Sequence, residues 1–174
     1  DNSLIRCVAI SGMRRLRVDS PAATTALREL LHDPDPDVRI DCAFALGELR
    51  VASSTLDLVE VITHDSVGEA RVEATKALGK IGVAQAVDPL VECIRNDGYP
   101  DLEAYADEDE VNPCWQVQSE AIVALGEITS DSVVDALISF ISETDYPDLQ
   151  DLGFKALVKT DSTRAHEFLH RQLS

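Results

Sequence analysis

Few residues in this chain are of a type and spacing that could do chemistry. His166-Glu167-Phe168-Leu169-His170 sets two histidines at i and i+4 with a glutamate between them. On a helix that spacing puts both imidazoles on one face, as zinc proteases use it, with the carboxylate as general base. Only four residues follow His170, so we expect no third downstream ligand. Leu169 and Leu173 also stand 32 residues after Leu137 and Ile141, which reads as an ordinary apolar helix face. The four cysteines, Cys7, Cys42, Cys93 and Cys114, show no Cys-x-x-Cys pair, and we expect reduced thiols, with Cys114 the exposed one. The segment from Gly98 to Asn112 holds Asp101, Glu103, Asp107, Glu108, Asp109 and Glu110 with no Lys or Arg. It lacks the Asp-x-Asp-x-Asp-Gly order of a high-affinity calcium loop. No nucleophile elbow, phosphate-cradling glycine loop or dinucleotide fingerprint occurs. We therefore assign no catalytic residue, no metal and no cofactor, and expect a protein that is not an enzyme.

Charge narrows the partners. The chain has 174 residues and a net charge of −17. That excess repels nucleic acid and anionic membrane surfaces and favours a protein or peptide with a basic patch. No apolar run approaches the ~20 residues that span a bilayer, and no signal peptide opens the chain, so the expected location is cytoplasmic. One local exception is the cluster of Arg6, Arg14, Arg15 and Arg17, read as a polar cap or a junction to a preceding repeat.

The elements that must carry these residues repeat. Val38-Arg39-Ile40-Asp41-Cys42-Ala43-Phe44-Ala45-Leu46-Gly47 returns as Ala70-Arg71-Val72-Glu73-Ala74-Thr75-Lys76-Ala77-Leu78-Gly79 and again as Val117 to Gly126. Gly47 and Gly79 are 32 residues apart; Gly126 follows after 32 plus an insert of 15. A period near 32 on helical sequence means stacked hairpins. Apolar spacing predicts helix A from Pro36 with Asp35 as cap, and helix B over roughly Ser54 to Thr63, Ala86 to Arg95 and Ser132 to Ser142. Leu58 and Ile62, Leu90 and Ile94, and Leu137 and Ile141 should point inward. Weaker pairs of helices are expected near Leu4 to Arg15 and Ala22 to His32, and near Pro147 to Val158 and Thr163 to Leu173. A glycine inside helix A costs ~1 kcal/mol relative to alanine. Its return at one phase implies a neighbouring helix too close for a Cβ. Cys42 falls where Ala74 and Ala121 stand and should be buried.

The string Val-Arg-x-Asp/Glu-Ala/Cys-x-x-Ala-Leu-Gly-x-Ile/Leu, preceded by Asp-Pro-Asp, resembles the HEAT-like repeats of the phycobilisome bilin-lyase superfamily. The resemblance implies an all-α fold, an α-solenoid of about five hairpins in one array. The units run roughly over 4–35, 36–65, 66–97, 113–143 and 144–174, with the acidic insert at 98–112. It implies that Arg39 and Arg71 bond turn carboxylates of adjacent repeats, a ladder that weakens at Gln118. It also implies that B helices line a concave face. A di-iron hydroxylase branch of the superfamily carries His-Glu pairs; here the matching places read Ile40-Asp41, Val72-Glu73 and Ser119-Glu120, so the imidazole ligands are missing.

The expected function is a non-enzymatic interaction scaffold. It would grip a protein or peptide along an acidic trough of Asp57, Glu60, Asp88, Glu92, Asp135 and Ser139. The insert would add Tyr99, Asp101, Glu103, Tyr105, Asp107 and Glu108, with Trp115 as an aromatic anchor. The alternative, carried by the resemblance, is a bilin-lyase-like or phycobilisome-associated factor. Oligomeric state is left open.

Overall fold

The computed structural model describes residues 2–18, 20–95 and 113–172. Among them all regular structure is helical. In chain order the helices are α1 (Ser3–Arg15), α2 (Pro21–Leu30), α3 (Pro36–Glu48), α4 (Thr55–His64), α5 (Gly68–Ile81), α6 (Val87–Arg95), α7 (Pro113–Gly126), α8 (Asp131–Glu143), α9 (Pro147–Lys159) and α10 (Thr163–Gln172). Short 3-10 turns, Ala52–Ser54 and Ala84–Ala86, lead into α4 and α6. Odd-numbered helices are the A members of the hairpins and even-numbered ones the B members. The insert expected at 98–112 lies outside the described residues, as do Tyr99, Asp101, Glu103, Tyr105, Asp107 and Glu108 within it.

Local signals set the helix starts. The Asp35 carboxylate accepts from the Asp37 N–H at 3.0 Å, and Pro36 takes the first helical position, where it loses no hydrogen bond. Ser20 and Pro21 do the same for α2, and Asn2 caps α1. Backbone contacts divide the chain into two compact units, residues 1–81 and 82–174.

In residues 1–81, α3 is the central element, packed on α1, α2 and α5, and α4 packs on α5. The core holds Ile10, Leu27, Leu31, Leu46, Leu58, Ile62 and Leu78, all buried. In residues 82–174, α7 packs on α6 and α9, and α8 on α9 and α6. Its core holds Leu90, Ile94, Ile122, Leu125, Leu137, Ile141 and Leu157. Each such side chain contributes on the order of 1.5–3 kcal/mol by leaving water. The helix B residues that the periodicity points inward are all buried.

The glycine phase has a direct cause. A Cβ on Gly47 would lie 2.8 Å from Ala77 Cα and 2.9 Å from Ala77 Cβ, so α3 and α5 meet backbone against backbone. A Cβ on Gly126 would lie 3.0 Å from both Ala156 Cα and Cβ, the same approach between α7 and α9. Gly12, in α1, has open space where its Cβ would be. Gly47→Ala should therefore destabilise the protein by about 1–2 kcal/mol, strain exceeding the gain in helix propensity. Gly12→Ala should stabilise it by about 0.5–1 kcal/mol. Urea denaturation of the two variants reads opposite signs from one chemical change.

Candidate interaction surface

Arginine ties the hairpins together in residues 1–81. From α3, Arg39 reaches across its own hairpin to Asp65 with two hydrogen bonds of 2.7 Å, Nε to Oδ2 and Nη2 to Oδ1. Its Nη1 donates backwards to the Asp33 carbonyl at 2.9 Å. One guanidinium thus joins the turn before helix A to the turn after helix B, in the planar forked geometry that suits a carboxylate. The side chains of Arg39 and Asp65 are only 13% and 5% exposed. Arg71 repeats the backward bond, Nη1 to the Asp65 carbonyl at 3.2 Å.

The same construction begins one hairpin earlier. Arg6 Nη2 donates to Asp33 Oδ1 at 2.8 Å, and Arg6 Nε lies 2.8 Å from Asp33 Oδ2. The arginine cluster read as a cap or junction therefore separates by role. Arg6 is the first rung, Arg14 lies 4.8 Å over the Phe44 ring, and Arg15 and Arg17 are exposed. Arg6 stands 33 residues before Arg39 rather than 32, and that slip hid it from the repeat alignment.

Burial pushes the Asp65 carboxyl up. The Arg39 guanidinium and the Val67 N–H, which donates at 2.9 Å, more than offset this and hold it below its ordinary value. Asp33 has the same balance: burial raises it, while Arg6 and the Asp35 N–H bring it down further. Burial also raises both cysteines of this half, Cys7 to about 11 and Cys42 upward as well. Neither is a thiolate near neutrality. Cys42 and Cys93 are buried and Cys7 half-buried; the Cys114 side chain lies outside the described residues.

The acidic positions differ in exposure and in the bonds they make. Asp57, on α4, is taken by Arg28, whose Nε and Nη2 donate at 2.6 and 3.1 Å. Glu60 is exposed at the rim of a cavity of about 320 Å³ between the turns that follow α2 and α4, with His32, His64 and Asp65. In residues 82–174, α6 exposes Asp88 and Glu92. Asp135, on the adjacent α8, pairs with Arg164 of α10. Ser139 is half-buried and donates to Glu143 Oε1 at 2.6 Å. Trp115, in the first turn of α7, is 41% exposed. Acidity is unevenly shared: residues 82–174 hold 19 of the 32 Asp and Glu but only five of the 15 Lys and Arg.

His166 and His170 are exposed on α10, and His166 Nε2 lies 3.7 Å from Asp161 Oδ1. The inner side of α10 is formed by Ala165 and by Phe168, whose ring stacks 6.4 Å from Phe154. Among the described residues no group of three or more His, Cys, Asp or Glu is placed to hold a metal ion. No described helix is long and apolar enough to cross a membrane.

Hairpins repeating at one phase, with glycine contacts between α3 and α5 and between α7 and α9 and arginine rungs between turns, define a helical solenoid. The family of HEAT repeats matches residues 1–71 and 24–108, more than half of the chain. The PBS lyase HEAT-like repeat matches residues 117–143. The chain belongs to the HEAT repeat family, whose members generally serve as scaffolds for protein interaction. No curated protein matches the chain.

The rungs predict a pH dependence. The folded carboxyls of Asp33 and Asp65 lie below the unfolded value near 4, so their stabilisation is complete above about pH 4. It is lost as pH falls through the folded values. Asp65→Asn should cost about 2–3 kcal/mol at neutral pH by leaving Arg39 without its carboxylate. It should also flatten the fall in urea midpoint below about pH 4.

Proposed function

We propose that this protein is a non-enzymatic, cytoplasmic scaffold whose hairpins act as one array and bind a protein or peptide carrying a basic patch. The excess of carboxylates over bases in the sequence of residues 82–174 carries this reading. A deficit of 14 positive charges there draws in a cationic partner over a Debye length of about 10 Å. Asp88 and Glu92 would supply the attraction at contact, and Glu60 would extend it on residues 1–81. Asp57 and Asp135 contribute less, because Arg28 and Arg164 already neutralise them. Ser139 adds a polar rim. Trp115, beside the insert in sequence, offers amphipathic area of the kind that anchors protein interfaces. Tyr99, Asp101, Glu103, Tyr105, Asp107 and Glu108 belong to the proposed surface on sequence alone.

A second reading rests on the PBS lyase HEAT-like match at residues 117–143. In it the protein is a bilin-lyase-like or phycobilisome-associated factor that handles a tetrapyrrole on a cysteine of a client. A shifted absorption band on mixing with phycocyanobilin favours this reading; an unchanged spectrum favours the scaffold.

The scaffold is tested by capturing partners from the source lysate at low salt with the intact chain and with one lacking residues 98–112. The partner's affinity should fall about tenfold or more between low salt and about 0.3 M salt. It should fall similarly in Asp88→Lys/Glu92→Lys. An affinity indifferent to salt and to both reversals sinks the electrostatic reading. Loss of capture with the deletion places recognition on the insert; equal capture places it on the helical hairpins.

A further inference from the structure

Four of the five A helices leave their last turn through one residue with positive φ, α7 being the exception. These residues are Arg17 (47°), Arg50 (53°), Gly82 (71°) and Asp161 (47°). After α1 the Val18 N–H reaches the Met13 carbonyl and the Arg17 N–H the Arg14 carbonyl. After α3 the Val51 N–H reaches the Leu46 carbonyl and the Arg50 N–H the Gly47 carbonyl. This closure asks for a left-handed residue, which glycine adopts freely and a residue with a Cβ adopts under strain. Gly82 shows that glycine serves at this phase. Asp161 shows that the helix end does not demand a positive charge there. Arginine at two successive turns is therefore left without an explanation from folding.

Arg17 and Arg50 border a common space. Both line one cavity of about 480 Å³ within residues 1–81, together with Thr24 and Ser53, and both are exposed. Every other base of this half except Arg15 is engaged. Arg6, Arg28 and Arg39 hold carboxylates, Lys76 and Lys80 pair with Glu73 and Glu48, Arg14 covers Phe44 and Arg71 bonds the Asp65 carbonyl. Arg17 and Arg50 form no ion pair with any described residue. Glu48, whose charge is close enough to feel Arg17, is bonded to Lys80 Nζ at 2.8 Å. In a chain with 32 acids to 15 bases, two arginines that line one cavity and form no ion pair with any described residue stand out.

We propose that this cavity binds a phosphate group, either the free ion or a phosphoserine of a partner protein. Two planar guanidiniums supply forked donors and a charge that matches the phosphate dianion. The Thr24 and Ser53 hydroxyls add neutral donors at the wall. Strained residues gathered around one cavity mark a place where binding outweighs local stability. This site is separate from the acidic surface and takes the opposite charge.

The strain makes the test clean, because removing both arginines should not harm the fold. Thermal melting of the full chain is compared in sodium phosphate and in sodium chloride at equal ionic strength, for the natural protein and for Arg17→Gly/Arg50→Gly. Phosphate should raise the natural Tm by about 3 °C or more over chloride. The double variant should melt higher than the natural protein in chloride and gain nothing from phosphate. Calorimetric titration with inorganic phosphate, a phosphoserine peptide and its unphosphorylated form assigns the source. Tighter binding of either phosphate-bearing probe supports the site and names the ligand. Equal binding of the unphosphorylated peptide overturns it. So does an absent phosphate increment, an increment kept by the double variant, or a double variant that melts lower in chloride.

Discussion

Two pairs of A helices, α3 with α5 and α7 with α9, meet where a side chain has no room. Gly47 lies on Ala77 and Gly126 on Ala156 at distances a Cβ could not occupy. Backbones held this close fix the depth to which the neighbouring hairpin can settle, and with it the register of everything attached. The B helices then find their own spacing, so Leu58 and Ile62, or Leu137 and Ile141, land inward without further instruction. The arginine rungs follow as well, since a guanidinium spans from helix A to the turn after helix B only when the two hairpin ends are correctly separated. Glycine in a helix is costly on its own; here its missing atom is what lets the packing exist.

Charge works on two scales in this protein. Buried rungs such as Arg39 with Asp65 are short, forked and nearly sealed from water, and they specify geometry. The excess of carboxylates in residues 82–174 is a matter of net charge, and it acts at a distance that salt can erase. Confusing the two would mislead, because Asp57 and Asp65 look alike in sequence. Asp65 stands 32 residues after Asp33 and Asp57 matches no acid at that interval, and one bonds a nearly buried Arg39, the other a half-exposed Arg28.

Much of the fold was legible because it is written three times. The Ala-Leu-Gly phase, the Asp35-Pro36 start and the inward pairs of helix B each rest on local chemistry that repetition amplifies, and the helix limits follow closely. Arg6 was not legible as a rung, because a single extra residue moves it off the period. The surface was less legible for a different reason. Whether an acid is paired depends on what reaches it from another helix: Arg28 precedes Asp57 by 29 residues, whereas Arg164 follows Asp135 by 29, so the order of charges is reversed between the two pairs. Nor does sequence alone reveal a left-handed arginine, since only the closed turn at Arg17 and Arg50 gives the backbone its sign.

The closing residues of the A helices set a rule of parity. Glu48 bonds Lys80 at 2.8 Å and Glu127 bonds Lys159, each pair 32 residues apart at the same place in the hairpin. Along the chain that place reads Glu, Lys, Glu, Lys. Losing or duplicating a single hairpin inside such an alternation would set like charges against each other; losing or duplicating two would restore attraction. Each pair is partly exposed and contributes on the order of 0–1 kcal/mol, so it biases which hairpin sits beside which more than it holds the two together.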